Sequence, residues 1–417
     1  MRKLISMILI SIMCISLVSC NDTEVKETGE ITKVKQLTKK EKIKDFEYMF
    51  KTIEEAYPFL EVNKRVNNVD WVANKEEYLE KIKNTTNDEE FIGAINQILS
   101  ELNNDHTHLV NSKELYEYFK SGYNQTGWYD FFDDEKVVSR YNSMKGNIEN
   151  TKNTMVKKDV IVKDVVDKKV GYIYLPQMYG VYGDITEKDI ESDMKIIGDY
   201  IDTLENHKAL IIDIRGNSGG SDAYWRSVVS KIVSDDIENK GYLAFRSDSK
   251  IMKDYLDKRN IIVDSIENLP KDLLENAPRE VMTDFSEFME SKVVIESDNN
   301  SKFEGNIYLL VDGMVYSSSE SFSIFCKDSG FATLIGEKTG GDGGGIDPIL
   351  FDLENSGLIV RMASDMYLTG QGICNEEFKT TPDYKISNVT RTKNFEDDKC
   401  IQKVLELENI NLTKESE

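Results

Sequence analysis

The run Ala209-Leu210-Ile211-Ile212-Asp213-Ile214-Arg215-Gly216-Asn217-Ser218-Gly219-Gly220 decides the fold of this chain. Its first half, Ala209 to Ile214, is short and mostly apolar, which predicts a strand buried on both faces. The glycines that follow predict a turn, and a helical pattern begins at about Ala223. A buried strand that leads through a turn into a helix is the repeating unit of an α/β fold.

The same alternation of buried strands and helices continues on both sides of this run. The predicted elements are a strand at Val170 to Leu175, a helix at about Glu187 to Glu205, a strand at Ile307 to Val311, a helix at about Ser318 to Lys327, and strands at Ala332 to Ile335 and Leu358 to Met362. We therefore expect an α/β core over residues 169–405 and a polar tail over residues 406–417. The charged stretch from Asp235 to Phe303 interrupts the pattern, and we expect it to be helical in part and to cover a cleft.

The part of the chain before this core is helical at first and mixed afterwards. Between residues 41 and 109, apolar residues recur at spacings of three and four, as in Phe46, Met49, Phe50 and Ile53. This spacing predicts a small helical N-terminal domain. Residues 110–168 contain an aromatic cluster, Trp128, Tyr129, Phe131 and Phe132, and are interpreted as a connecting subdomain.

The first forty residues predict export and attachment to a membrane. Arg2 and Lys3 precede an apolar stretch from Leu4 to Val18, so residues 1–19 have the pattern of a signal peptide. The run Leu17-Val18-Ser19-Cys20 resembles the bacterial lipobox, which implies a lipid anchor on Cys20 and an extracytoplasmic location. The polar residues 20–40 are then a tether. An uncleaved transmembrane anchor and an ordinary signal peptide are the alternatives.

Charge and cysteine content limit the function further. The 417 residues carry 52 Lys and Arg against 75 Asp and Glu, a net charge of −23, which argues against nucleic-acid binding. Besides the proposed anchor, Cys326, Cys374 and Cys400 show no metal-binding spacing and no evident disulfide framework, and no function is assigned to them. No coiled-coil heptad is present, so the sequence leaves the oligomeric state open.

Three junctions carry residues that chemistry can use. In the first, Gly219 and Gly220 follow the strand at Ala209 to Ile214, so their N–H groups can form an anion cradle or an oxyanion hole. The alternative is a simple tight turn; a dinucleotide site is not favoured, because the run lacks the GxGxxG form.

The second junction is the serine cluster Ser317-Ser318-Ser319-Glu320 at the start of a predicted helix. A serine at this position lies beside the positive end of the helix, which stabilises charge on an attacked carbonyl. The alternative is a capping box between Ser317 and Glu320, which begins a helix without any catalysis.

The third junction is Asp105-His106-Thr107-His108, which contains two of only three histidines in the chain. A His-x-His pair can bind a metal, but the remaining His207 lies in a charged helix end without other ligands. A general base is therefore the favoured interpretation of this motif.

Taken in order, these motifs resemble the S41 peptidase family, the C-terminal-processing and tricorn-core proteases. The matching runs are Asn104-Asp105-His106-Thr107, Ile211 to Gly220, Ser317 to Glu320, and Gly336-Glu337-Lys338-Thr339-Gly340-Gly341, with Pro382-Asp383 near the end of a match that spans residues 44–389. In this family the nucleophile stands three residues before the glutamate, which implies Ser317.

The resemblance also implies which base acts on the serine. The processing branch uses a lysine in a Gly-Lys-Gly run, but the corresponding run here is Gly341-Asp342-Gly343 and has no lysine. The tricorn-like branch uses an N-terminal histidine, which His106 matches, and a glutamate before the terminal Pro-Asp. That glutamate is Glu376, with Glu377 as its close competitor. A Ser–Lys dyad through Lys338 is a further alternative.

The implied fold is a ClpP/crotonase-like α/β core with the small helical N-terminal domain. About 60 residues separate the histidine motif from the first core strand, too few for a PDZ domain, so none is expected. The implied activity is that of a membrane-anchored serine endopeptidase that acts on peptides or proteins, without metal or organic cofactor. The other possibility is a non-catalytic peptide- or protein-binding lipoprotein on a degenerate S41 fold.

In the implied mechanism, His106 takes the proton of Ser317, and the N–H groups of Gly219 or Gly220 and of Ser318 hold the oxyanion. Asp105 or Glu376 orients the imidazole or binds the substrate amine.

Overall fold

The computed structural model describes residues 35–144, 157–181, 185–298 and 303–411. The predicted signal peptide, Cys20 and most of the predicted tether lie outside these residues, as does half of the predicted polar tail. Within the described ranges, no helix combines the length and apolar character that crossing a membrane requires.

Helices and strands alternate through most of the chain, as follows. The helices are α1 (Lys39–Ala56), α2 (Leu60–Asn67), α3 (Lys75–Lys83), α4 (Asp88–Ser100), α5 (Lys113–Tyr123), α6 (Glu135–Ser143), α7 (Glu187–Ile201), α8 (Asp222–Ile232), α9 (Lys250–Lys258), α10 (Ser318–Ser329), α11 (Asn375–Phe378) and α12 (Lys399–Leu407). The strands are β1 (His108–Leu109), β2 (Ile161–Val166), β3 (Val170–Tyr174), β4 (Ala209–Asp213), β5 (Ile237–Phe245), β6 (Asp264–Ser265), β7 (Glu287–Ile295), β8 (Asn306–Val311), β9 (Thr333–Gly336), β10 (Ile349–Asp352), β11 (Ile359–Met362), β12 (Met366–Thr369) and β13 (Tyr384–Lys385).

The central sheet is built around β4, the strand that the sequence predicts first. Its order is β13-β9-β8-β4-β3-β2, with β3, β4, β8, β9 and β13 parallel and β2 antiparallel at one edge. All five residues of β4 are buried because α7, α8 and α10 cover one face of the sheet and α12 covers the other. The predicted α/β core is therefore confirmed.

Two smaller antiparallel sheets lie beside the central one, with orders β12-β5-β7-β6 and β1-β11-β10. The stretch between Asp235 and Phe303 contains α9, as expected, but also the long strands β5 and β7, which the sequence does not reveal. Their exposed faces carry the ion pairs Lys240–Glu290 and Lys292–Glu238. These charges hide the apolar alternation by which strands are recognised.

The predicted N-terminal helical pattern forms α1 to α4. Phe50 stacks on Trp71 with ring centroids 4.6 Å apart, and Trp71 donates a hydrogen bond to the Ile98 carbonyl. These helices share one apolar core with β5, β10, β11 and β12. The described residues form one compact unit, and the division into separate domains stays a prediction.

Residues 110–144 form α5 and α6, which pack around the predicted aromatic cluster. Phe132 is buried there with Tyr116 and Tyr141, whose rings stack at 4.5 Å. Tyr141 also donates to the Val110 carbonyl, which fixes these helices to the chain just after β1. Among the described residues, the chain between β1 and β3 thus holds α5, α6 and β2.

A buried ion network joins the end of β4 to the C-terminal helix. The guanidinium of Arg215 donates two hydrogen bonds to Asp213, at 2.9 and 2.6 Å, and two to Asp398, at 3.1 and 2.8 Å. Both carboxylates are fully buried. Asp398 also accepts from the N–H of Cys400 and so caps α12.

We expect Arg215→Ala to lower the free energy of unfolding by about 3–5 kcal/mol, because it leaves two buried carboxylates without their cation. Urea unfolding followed by circular dichroism measures this change. The control is Lys195→Ala, which breaks an exposed ion pair with Asp199 and costs less than about 1 kcal/mol. Equal losses in the two variants would contradict the structural role of Arg215.

Candidate active site

Ser317 lies on a strained turn between β8 and α10. Its backbone angles are φ 57° and ψ −122°, a region that residues with a side chain rarely adopt. Hydrogen bonds hold the turn: the Ser317 N–H donates to the Gly341 carbonyl at 3.2 Å, and the Ser321 N–H donates to the Ser317 carbonyl at 2.8 Å. The turn presents the Ser317 hydroxyl to the cleft.

The capping-box interpretation of Ser317 is wrong. The Ser317 side chain accepts no hydrogen bond from the first turn of α10. Glu320, the presumed partner, is fully buried and accepts from Asn375 at 2.7 Å and from the Thr380 hydroxyl at 2.7 Å. The Ser317 hydroxyl is therefore available for chemistry, while Glu320 fixes the segment that contains α11.

The structure brings His106 to the serine across 211 positions of sequence. The Nε2 atom of His106 lies 3.0 Å from the Ser317 hydroxyl oxygen. The loop is held by Thr107, whose hydroxyl donates to the Asn104 side chain at 2.9 Å and accepts from the Ala363 N–H at 3.1 Å. The exposed Lys338 of the alternative dyad does not take this place.

The group that orients the imidazole is Asp342, which the sequence does not single out. Its Oδ2 atom accepts from His106 Nδ1 at 2.8 Å, from Asn104 at 2.6 Å and from the Tyr316 hydroxyl at 3.0 Å. Asp342 occupies the position at which the processing branch carries its lysine. The sequence therefore contained one indication of this role: an aspartate, Asp342, stands where the lysine base of the processing branch is missing.

The surroundings keep Asp342 ionised. Burial alone raises the pKa of its carboxyl, but the charge of His106 and the hydrogen bonds from His106, Asn104 and Tyr316 together lower it. Burial, together with the charges of Asp342 and Glu376, raises the pKa of Tyr316, so its hydroxyl keeps the proton that it donates. A carboxylate in this position holds the imidazole in one tautomer and stabilises the imidazolium.

The predictions that Asp105 or Glu376 orients the imidazole are wrong. Asp105 is exposed on the cleft wall and Glu376 accepts from Asn104 at 3.3 Å, so neither contacts the ring of His106. The competitor Glu377 forms an ion pair with Arg65 at 2.6 Å. Burial, followed by the charge of Asp342, raises the pKa of Glu376 to about 8, so Glu376 is mostly protonated at neutral pH.

The glycine turn after β4 lies directly against the serine turn. A Cβ atom on Gly219 would lie 2.6 Å from the Tyr316 carbonyl oxygen and 2.9 Å from the Ser318 nitrogen, and Gly219 has a φ of 105°. Only glycine fits there. The Gly219 N–H donates to the Asn217 side chain at 3.0 Å, whereas the N–H groups of Gly220 and Ser318 have no acceptor among the described residues.

A cleft of about 1170 Å³ contains these groups. Its wall includes His106, Ser317, Gly220, Trp128 and Arg259. This volume is large enough for several residues of an extended peptide.

The other two histidines and the three cysteines form no hydrogen bond with Ser317 or His106 among the described residues. His108 contacts Phe119, and burial followed by the charge of Arg361 lowers the pKa of His108 to about 4. His207 pairs with Asp164 at 3.1 Å, far along the chain from the histidine motif. Within the described ranges, no three His, Cys, Asp or Glu residues are grouped to hold a metal ion. Cys326, Cys374 and Cys400 are buried free thiols.

We expect Glu376→Gln to weaken one pH dependence of stability. Because burial and Asp342 raise the pKa of Glu376 from 4.5 to about 8, the folded protein keeps a proton that the unfolded chain releases. The stabilisation that the protonated Glu376 gives to the folded state is fully present below pH 4.5 and is lost as the pH rises to about 8. Urea unfolding across this range should show a smaller decline in Glu376→Gln than in the wild type.

The neighbouring variant Glu377→Gln is the control. It removes an ion pair with Arg65, and we expect it to lower stability similarly at each pH in this range. Parallel pH profiles of the wild type and Glu376→Gln would contradict the raised pKa.

Comparisons with solved structures agree on the fold. A candidate peptidase from Parabacteroides merdae ATCC 43184 superposes with a TM-score of 0.56 at 18% identity, over 88% of this chain and 96% of that chain. Mature CPAF superposes with a TM-score of 0.53 at 13% identity, over 83% of this chain and 92% of that chain. No curated protein sequence matches this chain significantly.

The sequence model of Peptidase family S41 matches residues 169–386, just over half of the 417 residues. This range begins at β3, contains the glycine turn, Ser317 and Asp342, and ends beyond Glu376. The chain therefore belongs to peptidase family S41.

Proposed function

We propose that this protein is an extracytoplasmic, membrane-anchored serine endopeptidase that cleaves peptide bonds through an acyl-enzyme on Ser317. The observation that carries the proposal is the chain of hydrogen bonds from Ser317 through His106 to Asp342, with lengths of 3.0 and 2.8 Å. A nucleophile, a base and an orienting carboxylate in this order are the arrangement that activates a serine.

Attack on the peptide begins with transfer of one proton. His106 Nε2 removes the proton of the Ser317 hydroxyl, and the oxygen attacks the carbonyl carbon of the scissile bond. The imidazolium then lies against the ionised Asp342, whose other donors are Asn104 and Tyr316. When the tetrahedral intermediate collapses, His106 gives the same proton to the leaving amine.

Charge on the carbonyl oxygen is stabilised at the contact between the two turns. The N–H groups of Gly220 and Ser318 are the proposed donors, because neither has an acceptor among the described residues. Gly219 contributes by its small size instead, since its N–H is bonded to Asn217. One such donor contributes about 3 kcal/mol to lowering the barrier in well-studied hydrolases.

Deacylation uses the same groups in the reverse order. A water molecule takes the place of the leaving amine, and His106 removes a proton from it as the water attacks the ester carbon. The proton then returns to Ser317 as the C–O bond of the ester breaks. No step requires a group beyond this chain, the peptide and water.

The location is proposed from the first forty residues. The apolar stretch from Leu4 to Val18 supports export, and the lipobox-like run that ends at Cys20 supports lipid attachment. The polar residues after Cys20 are the proposed tether, and the proposed substrates are extracytoplasmic peptides or proteins.

Cleavage of a mixed peptide library by the soluble chain that begins after Cys20, followed by mass spectrometry, tests the activity. We expect Ser317→Ala and His106→Ala each to reduce kcat by about 10⁴-fold or more, because each removes a member of one catalytic unit. Ser227→Ala is the control, since its hydroxyl only contacts the Ala223 carbonyl on α8. Absence of cleavage by the wild type would favour the non-catalytic peptide-binding alternative.

Asp342→Asn tests the orienting carboxylate. The amide cannot accept the Nδ1 proton of His106 as a carboxylate does, so we expect kcat to fall about 10⁴-fold with little change in KM. Asp105→Asn is the matched control on the same cleft, and its kcat should stay within about threefold of the wild type because Asp105 does not contact the ring. Comparable losses in both variants would contradict the assignment of Asp342.

A further inference from the structure

Two arginines on the cleft wall lack an acidic partner. Arg259 follows α9 and Arg361 lies on β11, and both line the cleft that contains Ser317. Among the residues that the structure describes, neither guanidinium forms an ion pair with a carboxylate. Both arginines add positive charge to the cleft of a chain whose net charge is −23.

Among the described residues, several other arginines form ion pairs with carboxylates, whereas the partly buried Arg246 forms none and donates to the Tyr57 carbonyl at 2.9 Å. Arg65 bonds Glu280 and Glu377, Arg140 bonds Asp88, and Arg215 bonds Asp213 and Asp398. Arg259 and Arg361 differ from the ion-paired arginines in that they line the cleft that contains Ser317.

Aromatic rings hold the guanidinium of Arg259 in place. Its carbon lies 4.0 Å from the ring centroid of Trp128 and 3.9 Å from that of Tyr255, and one terminal nitrogen donates to the Tyr129 hydroxyl at 2.7 Å. Its buried Nε–H has no acceptor among the residues that the structure describes. A planar guanidinium that stacks on rings keeps the N–H groups at its edge for hydrogen bonds, and a carboxylate fits that edge.

Arg361 lies beside the histidine motif. It pairs in register with His108 across β1 and β11, and its guanidinium carbon lies 5.6 Å from the ring centroid of Phe119. Two residues further along, the Ala363 N–H donates to Thr107, the neighbour of His106. Since burial and Arg361 keep His108 uncharged at neutral pH, the positive charge at this place comes from Arg361.

The chain after β11 connects the two arginines. Ser364 follows Ala363, and its hydroxyl lies 3.1 Å from the hydroxyl of Tyr255, the residue whose ring stacks on Arg259. Arg361 and the ring that holds Arg259 are therefore fixed to one short segment that also contacts the loop of His106.

Acidic residues of the cleft do not neutralise this wall by direct pairing. Asp222 accepts from Trp225 and Arg226, on α8. Asp365 is buried, accepts from the Ile346 N–H and Ser364, and has a pKa raised to about 7 by burial. Asp347 is exposed at the rim and forms no ion pair with either arginine.

We propose that Arg259 and Arg361 form a subsite for a carboxylate of the bound peptide, supplied either by an Asp or Glu side chain or by the free C-terminus. The proposal rests on the proposed function, since the peptide occupies the same cleft. An acidic protein repels acidic peptides at long range, so two unpaired arginines at the site are what allows such a peptide to bind in a defined register.

Peptide binding to the full chain carrying Ser317→Ala, in detergent, tests the subsite without cleavage. The probes are fluorescein-labelled decapeptides of Ala, Ser and Leu with a single Glu or Gln at each position in turn, each with a free or an amidated C-terminus. We expect one carboxylate position to improve the Kd about tenfold or more over its neutral counterpart. A Glu/Gln difference identifies a side chain, and a free/amide difference identifies the C-terminus.

Arginine variants then identify the groups responsible. Arg259→Gln and Arg361→Gln should each reduce the preference, and together they should abolish it, whereas Arg259→Lys should retain part of it. Arg391→Gln is the matched control: this arginine also stacks on a ring, that of Tyr174 at 3.8 Å, but it is exposed outside the cleft, and its variant should keep the full preference. A preference that survives the double variant, or that is absent from the start, overturns the proposal.

Hydrolysis of the same peptides by the chain with Ser317 intact separates this proposal from the proposed function. Cleavage with equal kcat/KM for the charged and neutral peptides would overturn the subsite and leave the peptidase standing. An arginine-dependent binding preference without any cleavage would support the subsite and overturn the peptidase. Absence of both binding preference and cleavage would overturn both.

Discussion

The contact between the glycine turn and the serine turn is the constraint on which the site depends. Parallel pairing of β4 with β8, with Asp213 opposite Leu310, brings both turns to the same edge of the sheet. There the Gly219 backbone approaches Tyr316 and Ser318 so closely that no Cβ atom fits. The sheet register therefore places the nucleophile directly against the glycine turn.

Asp342 joins parts of the chain that are otherwise far apart. Its carboxylate accepts hydrogen bonds from the Asn104–His106 loop and from Tyr316, beside the nucleophile. A buried carboxylate is costly without partners, and these three donors offset that cost while fixing the imidazole. Glu376 lies next to the same donor, Asn104, yet avoids a second buried charge by keeping its proton. One ionised and one neutral carboxyl group thus share a single amide.

Much of this fold and part of this site were predictable from local pattern. The strand at Ala209 to Asp213 and the helix after Ser317 follow from short apolar runs and from the residues that end them. The strands β5 and β7 were not predictable in this way, because charged pairs cover their exposed faces. The role of Asp342 was not predicted for a different reason. Its partners His106 and Tyr316 lie 236 and 26 positions away in the sequence, and only folding brings them together. Local pattern also could not decide between a cap and a nucleophile at Ser317, since the decision depends on the hydrogen bonds that the Ser317 and Glu320 side chains form in the folded chain.

Glu320, the last residue of the serine motif, also fixes the segment that contains Glu376. Its position three residues after Ser317 is that of a capping glutamate, but its buried carboxylate instead accepts from Asn375 and Thr380, on either side of Glu376. Asn375 in turn accepts from the Gly343 N–H, next to Asp342. The nucleophile Ser317 stands directly before α10, and Glu320 lies in the first turn of that helix. Through Asn375, Glu320 fixes the two segments that carry Asp342 and Glu376, the carboxyl groups next to Asn104. Hydrogen bonds through Glu320 and Asn375 therefore connect the helix that follows the nucleophile to the segment that carries its orienting carboxylate.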